Sequence, residues 1–268
     1  MDAAKERLAA GYSRSALAYD VLAGHSYLIG LRRLLPLVRI PPGAAILDVG
    51  SGTGINLLEA ARWFWPARLL CGIDISPGMV QTARAKAALM GIPAQFALGD
   101  AEKLPYPDNT FDLVICNSVL HWFRNRPAAV REMARVLRPG GQLVLICAAS
   151  PGFQEWFTLM DSLMPLLGRQ PISPIMPKLP TALELQSLLQ GAGLQINLLA
   201  NPTLRQRIFQ PEAFVRYMST VAPPWAADLS PLEMAAVEQL AAAAVRRAFG
   251  GGFSNTWSAL EAVATKPG

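Results

Sequence analysis

The sequence predicts an α/β fold of the doubly wound type, a mostly parallel sheet with helices on both faces. Three observations lead there. Between residues 44 and 150, short apolar runs alternate with stretches of helical periodicity. These runs lack the polar second face of a strand backed by solvent, so both of their faces must be covered. The first run leads into Gly50-Ser51-Gly52-Thr53-Gly54 just before a helix, a turn rich in the residue that reaches positive φ without strain. In such folds crossovers are right-handed and ligands bind at the carboxyl ends of the strands.

The elements follow in order. Residues 1–43 read as helical, with apolar and aromatic side chains recurring through Tyr12, Leu17, Tyr19, Val21 and Leu22 and again over 31–38, until Pro41-Pro42-Gly43 stops the run. A strand over 45–49 enters the glycine turn, and a helix follows over 55–64. A second strand spans 69–75. Ser76-Pro77 then supplies a capping hydroxyl and a first-turn proline for a helix over 78–90. Strands at 94–98 and 111–117, a helix at 127–137, a stop at Arg138-Pro139-Gly140-Gly141 and a strand at 142–148 complete this part. Beyond Ser150 the rhythm changes. An apolar helix over 153–167 precedes a proline-broken loop over 171–180, and Thr181 with Glu184 forms a capping box for another helix. Segments 194–199 and 204–209 are strand candidates. Ser230 and Glu233 open a long helix to Phe249, and three glycines turn the chain into a last strand over 255–265.

Composition narrows the class. The chain has 268 residues, 52% of them hydrophobic and 16% charged, against about 25% charged in an ordinary globular domain. It is globular and unusually apolar, yet its longest apolar stretches, such as 143–149, fall short of the roughly 18–20 residues of a bilayer helix. Residues 1–7 mix acids with bases and precede no apolar core with a cleavage site, so no signal peptide is expected. Cys71, Cys116 and Cys147 are odd in number and each lies in an apolar run; they read as reduced core thiols, and a cytoplasmic location is expected. The net charge of +5 gathers within 61–150, while bases and acids balance over 151–268. Arg124, Arg126, Arg131, Arg135 and Arg138 read as a solvated helix face, and no nucleic-acid partner is expected.

Polar groups fall at successive strand ends. The glycine turn is not a dinucleotide fingerprint, because position 55, where the third glycine belongs, is Ile. Nor does a Gly-Lys-Ser/Thr follow, so the loop suits a nucleoside-like ligand without a pyrophosphate. Asp74 ends the second strand, 26 residues after Asp48, where a carboxylate accepts both ribose hydroxyls. Asp100, in Leu98-Gly99-Asp100-Ala101, is placed to accept from an exocyclic amine. Asn117 and Ser118 end the fourth strand.

ILDVGSGTG, GIDISPGMV, GDAEKLPYPDNTFDLVICNSVLHWF and RVLRPGGQLVL resemble, as a set, the successive motifs of class I S-adenosylmethionine-dependent methyltransferases, in the group that includes ubiquinone/menaquinone-type and malonyl-carrier-protein-type enzymes. The resemblance implies a Rossmann-like, seven-stranded sheet with an antiparallel last strand, and S-adenosylmethionine as cofactor. It also implies roles. Gly50, Ser51, Gly52 and Gly54 would line the methionine part, with Asp48 shaping their loop. Asp74 would hold the ribose beside Ile75 and Met79, Asp100 and Ala101 would contact adenine, and Asn117 would lie near the sulfonium. Tyr19 would close over the cofactor from an N-terminal helical lid at 1–43. The remaining organisation expected is a cofactor-binding core at 44–150, a helical substrate-binding insertion with further core elements at 151–250, and a final core strand at 251–268.

His121 and His25 are the only histidines and the candidate general bases. No metal site is expected. Trp122, Phe153, Trp156, Phe157, Met160, Tyr217 and Trp225 form a candidate apolar acceptor pocket. The expected reaction is methyl transfer to a hydrophobic small molecule, most simply at oxygen, in natural-product or lipid/quinone metabolism. The alternatives are carboxyl methylation of an acyl group on an acyl-carrier protein docked against the arginine face, C-methylation of a quinone or terpenoid, and a cofactor-binding module without catalysis.

Overall fold

The computed structural model describes residues 3–250 and 252–268, with all of their side chains except those of Ala23, His25 and Phe249. The sheet is built from β1 (Ala45–Val49), β2 (Leu69–Asp74), β3 (Gln95–Leu98), β4 (Phe111–Asn117), β5 (Leu137–Ala148), β6 (Gln195–Ala200), β7 (Thr203–Ile208) and β8 (Phe253–Thr265). Their order is β3-β2-β1-β4-β5-β8-β6. β1 to β5 pair in parallel, and β8 runs antiparallel between β5 and β6. Strand order reverses between β1 and β4, the position where open α/β sheets leave a crevice for ligand.

Alternation along the strands sends side chains to opposite faces. Leu47, Val49, Cys71, Ile73, Val114, Cys116, Leu143 and Leu145 pack with α5 (Arg126–Val136) and α7 (Ala182–Gly191). Ile46, Leu70, Leu113, Ile115, Val144 and Ile146 pack with α2 (His25–Leu34), α3 (Ile55–Trp63) and α4 (Pro77–Leu89). A third core, around Trp156, Phe214 and Trp225, joins α6 (Gln154–Leu163), α8 (Pro211–Val221) and α9 (Pro231–Phe249). The first helix, α1 (Ala3–Tyr19), reaches α2 through a π-helical turn at Asp20–Gly24.

Several expectations are corrected. Seven strands form the expected continuous path, and among the described residues an eighth, β7, lies off it, pairing with residues 253–258, the half of β8 that projects beyond its partnership with β5. The Arg138–Gly141 segment does not stop a helix in a loop; it belongs to β5. There the register passes from Phe111 opposite Leu137 to Leu113 opposite Gln142, and the extra residues bulge out at Gly140, with φ +78°. Thr181 caps α7 through the Glu184 amide, but the Glu184 carboxylate turns to Arg126 at 2.6 Å, so the capping box is half made. The arginine stretch is only in part a solvated face: Arg124 and Arg131 are exposed, but Arg126 pairs with Glu184, Arg135 with Glu132 and Asp108, and Arg138 with Asp112. The three cysteines are buried and free. Among the described residues, no helix is long and apolar enough to cross a membrane.

Candidate active site

Two chambers meet above the carboxyl ends of β1, β2 and β4. The first is shaped by the turn after β1. The amides of Gly50 and Ser51 both donate to the Ile73 carbonyl, at 2.8 and 2.9 Å, and pin the turn against β2. Gly50 has φ +69°, and a Cβ there would stand 2.6 Å from the Val119 side chain, so only glycine fits. At Gly52, φ is +52° and a Cβ would meet nothing within 4 Å, which marks the open side of the cradle.

Asp74 ends β2 with both carboxylate oxygens fixed: Oδ2 accepts from the Gly52 amide and Oδ1 from the Ser76 amide, each at 2.8 Å. Burial raises its pKa, and these amides oppose the rise by stabilising the charge. Across the chamber, Asp100 is ion-paired with Lys5 of α1 at 2.7 Å, and Lys5 also reaches Glu102 at 2.8 Å. Asn117 ends β4, where its Nδ2 donates to the Tyr27 carbonyl at 2.9 Å and to Asn56 Oδ1 at 3.0 Å. Ser118 Oγ donates to Asn117 Oδ1 at 3.0 Å.

Nine of the residues expected at the cofactor line this chamber: Tyr19, Gly50, Gly52, Asp74, Ile75, Met79, Asp100, Ala101 and Asn117. Three do not. Gly54 packs against Phe96 and Ala83, Ser51 is buried behind the turn, and Asp48 is wholly buried beneath it. Among the described residues, Asp48 and Ser51 Oγ make no close hydrogen bond, and the Leu57 amide is the backbone group that favours the Asp48 charge. Burial, and then the Asp74 charge, push the Asp48 carboxyl up to about 8, so it holds its proton at neutrality. With α1 in place, the chamber encloses about 80 Å³.

Aromatic rings from α1 and α2 roof the junction. Tyr19 stacks on Tyr27 at 5.5 Å, and Tyr12 packs edge-on against both Tyr19 and Trp122. Burial lifts all three tyrosine pKa values well above normal, which keeps the hydroxyls neutral.

The second chamber, of 460 Å³, lies against β5, β8 and α2. Of the expected acceptor residues, Trp122, Phe153, Phe157 and Tyr217 line it. Trp156, Met160 and Trp225 do not; all three sit in the third core, because the α6 face that carries Trp156 and Met160 and the 3₁₀ turn at Pro223–Trp225 pack on α8 and α9 rather than on the cavity. His121 lines the chamber from a 3₁₀ turn at Leu120–Trp122. Its surroundings do not suit the general base expected of it. Burial of the ring, and then the Arg126 charge, pull its pKa down to about 3, and its Nδ1 has no hydrogen-bond partner among the described residues. His25 begins α2, and its side chain lies outside the described residues. Sequence reasoning missed Lys5, Tyr27, Trp257 and Glu261, all of which line a chamber. Among them only Glu261 carries a visible signal, a lone acid inside an apolar strand.

Residues 47–145 match the family described as "Methyltransferase domain". This stretch, a little over a third of the chain, is what it shares with methyltransferases. The chain is similar to malonyl-[acyl-carrier protein] O-methyltransferase from Serratia marcescens, 32% identical over 173 residues that cover 65% of this chain and 64% of the relative. It is similar also to the ubiquinone/menaquinone biosynthesis C-methyltransferase UbiE of Ectopseudomonas mendocina, 34% identical over 159 residues, 57% of this chain and 62% of that one. The chain thus spans slightly under two thirds of the length of these curated relatives. Among solved structures, a putative methyltransferase from Bacillus halodurans superimposes with a TM-score of 0.64 at 19% identity, covering 89% of this chain and 99% of the other, and shares the fold.

The lining of the first chamber fits S-adenosylmethionine. Asp74 presents two fixed carboxylate oxygens to a vicinal diol, Ile75, Met79 and Ala101 offer apolar walls to a purine, and the open side of Gly52 admits a ligand against the backbone.

Proposed function

We propose that this protein transfers a methyl group from S-adenosylmethionine to a hydrophobic small molecule, most simply at oxygen. The observation that carries this reading is the meeting of the two chambers at Asn117, Ser118 and Trp122, which line both. Donor and acceptor bound in separate chambers would face each other across these three residues. The bound donor supplies an activated methyl group of its own, so the chain's task is alignment in a dry site. Alignment of this kind is worth roughly 7–11 kcal/mol.

In this reading Asp74 holds the ribose, Asp100 accepts from the adenine amine once it leaves Lys5, and Tyr12, Tyr19, Tyr27 and Trp122 exclude water. Trp122, Phe153, Phe157 and Tyr217 form the acceptor wall. His121, neutral at pH 7, orients the acceptor rather than deprotonating it. An acceptor that loses its proton easily, an acid or a phenol, suits such a site better than an alcohol. Residues 1–43 act as the lid, and 151–250 supply the largest share of the acceptor wall.

The names of the relatives suggest two narrower acceptors, a carrier-bound acyl carboxyl and a quinone-type carbon. Against the first, Arg126, Arg135 and Arg138 are engaged by the chain's own carboxylates, which leaves less positive surface for an acidic carrier. The test is incubation of a metabolite extract with the protein and methyl-labelled donor, with S-adenosylhomocysteine binding measured by calorimetry. Label in apolar products supports the reading, and its loss under mild base identifies a carboxyl ester. Binding without transfer leaves a cofactor-binding module, and absence of both rejects the assignment. Asp74→Ala is expected to weaken S-adenosylhomocysteine at least tenfold.

A further inference from the structure

The acceptor chamber is mostly apolar, yet one wall carries a charge. Glu261, on β8, lines the chamber and is only 6% exposed. Asn117 pairs with Ile146, and Ile146 with Glu261, so the three form one cross-strand row on β4, β5 and β8. Helix α2 covers this row. The Tyr27 carbonyl takes the Asn117 amide, and Arg33 donates to Glu261 Oε1. Between them lies Gly30, where a Cβ would stand 3.1 Å from Glu261 Oε1 and 3.3 Å from an Ile146 methyl. Glycine weakens a helix interior, and here it leaves room for the carboxylate.

Arg33 meets part of the need of a charge withdrawn from water. Among the described residues, Glu261 Oε2 accepts no hydrogen bond. A carboxylate oxygen in the wall of an otherwise apolar chamber is a seat for a hydrogen-bond donor that arrives with the ligand.

We propose that Glu261 is a positioning residue for the acceptor: its Oε2 accepts a hydrogen bond from a hydroxyl of the bound molecule. The proposal rests on the methyl-transfer reading only in calling that molecule the acceptor. The row fixes the spacing, since Glu261 lies two inter-strand steps from Asn117, roughly 10 Å between backbone positions. The acceptor is then an apolar molecule read at two points, the methyl-accepting atom beside Asn117 and a separate hydroxyl at Glu261. A carboxylate at that second point would be repelled.

The test uses 4-hexylphenol and its methyl ether, 4-hexylanisole, which share an apolar body and differ in the donor. Binding is followed by quenching of the fluorescence of Trp122 and Trp257, both in the chamber wall. The wild type is expected to prefer the phenol by roughly 10- to 100-fold, the range for a hydrogen bond to a charged group. In Glu261→Met the preference falls to about one, whereas a merely structural loss weakens both probes alike. Gly30→Ala, which crowds Oε1 while favouring the helix, serves if Glu261→Met does not fold and is expected to cut the preference. A wild-type ratio near one, a ratio unchanged in the folded variants, or binding of neither probe overturns the proposal. S-adenosylhomocysteine titration of the same proteins keeps the two readings apart: if it fails in the wild type, methyl transfer falls, while the phenol-to-ether ratio still decides Glu261.

Discussion

Asp48 makes the stability of this protein depend on pH in a direction opposite to that of an ordinary ion-paired carboxylate. Its side chain is wholly buried, among the described residues it makes no close hydrogen bond, and its pKa rises from 3.8 to about 8 although the Leu57 amide opposes the rise. The cause is desolvation first and the Asp74 charge second. An acid whose folded value exceeds its unfolded one contributes stability that is fully present below the unfolded value and is lost as pH rises to the folded one. Below about pH 4 both states hold the proton and Asp48 costs nothing. Between about pH 4 and 8 the unfolded state releases it, and stability falls by about 1.4 kcal/mol per pH unit. The whole shift is worth on the order of 5 kcal/mol, reached near pH 8. Asp48→Asn keeps the shape and cannot ionise. Whatever its amide gains or loses beneath the glycine turn is independent of pH, so only the slope matters. Urea unfolding of both proteins from pH 5 to 8 is expected to show the variant's stability, relative to wild type, rising with pH by about 1.4 kcal/mol per unit. Parallel pH profiles would refute the reasoning, because Asp48 would then titrate alike in the folded and unfolded chains.

Three further outcomes are expected. Lys5→Ala removes the ion pairs that hold α1 to Asp100 and Glu102; S-adenosylhomocysteine should associate about two- to fivefold faster, the scale of a partly exposed ion pair, and an unchanged rate in stopped flow rejects the latch. With the His121 pKa near 3, turnover should show no inflection between pH 6 and 7.5, and an inflection that disappears in His121→Gln would restore it as the base. Trp156 is fully buried edge-on against Phe214 and Trp225; Trp156→Ala should cost about 3–5 kcal/mol in urea unfolding, and a cost below about 1 kcal/mol would show that α6 contributes little to the third core.

The parts of this structure that local chemistry decides are the parts the sequence alone reveals. The strands are apolar on both faces because helices cover both, and that pattern survives in any window of residues. The glycine turn and Ser76-Pro77 are equally local, which explains why Gly50, Gly52 and Asp74 fall where strand ends predict. What stays hidden depends on partners distant in the chain. Glu184 suits a capping box until α7 packs on α5 and brings Arg126 within reach. Trp122 and Trp156 are the same residue type in similarly apolar surroundings, yet one lines both chambers and the other fills a core, a choice made by packing among α6, α8 and α9. Lys5 meets Asp100 across 95 residues. Glu261 lies between these extremes. An acid at the centre of an apolar strand is visible as an anomaly in the sequence, because burying a charge is costly without a partner. Only the sheet order, which inserts β8 beside β5, turns that anomaly into a position: the same row as Asn117, under the same helix, in the wall of the same chamber.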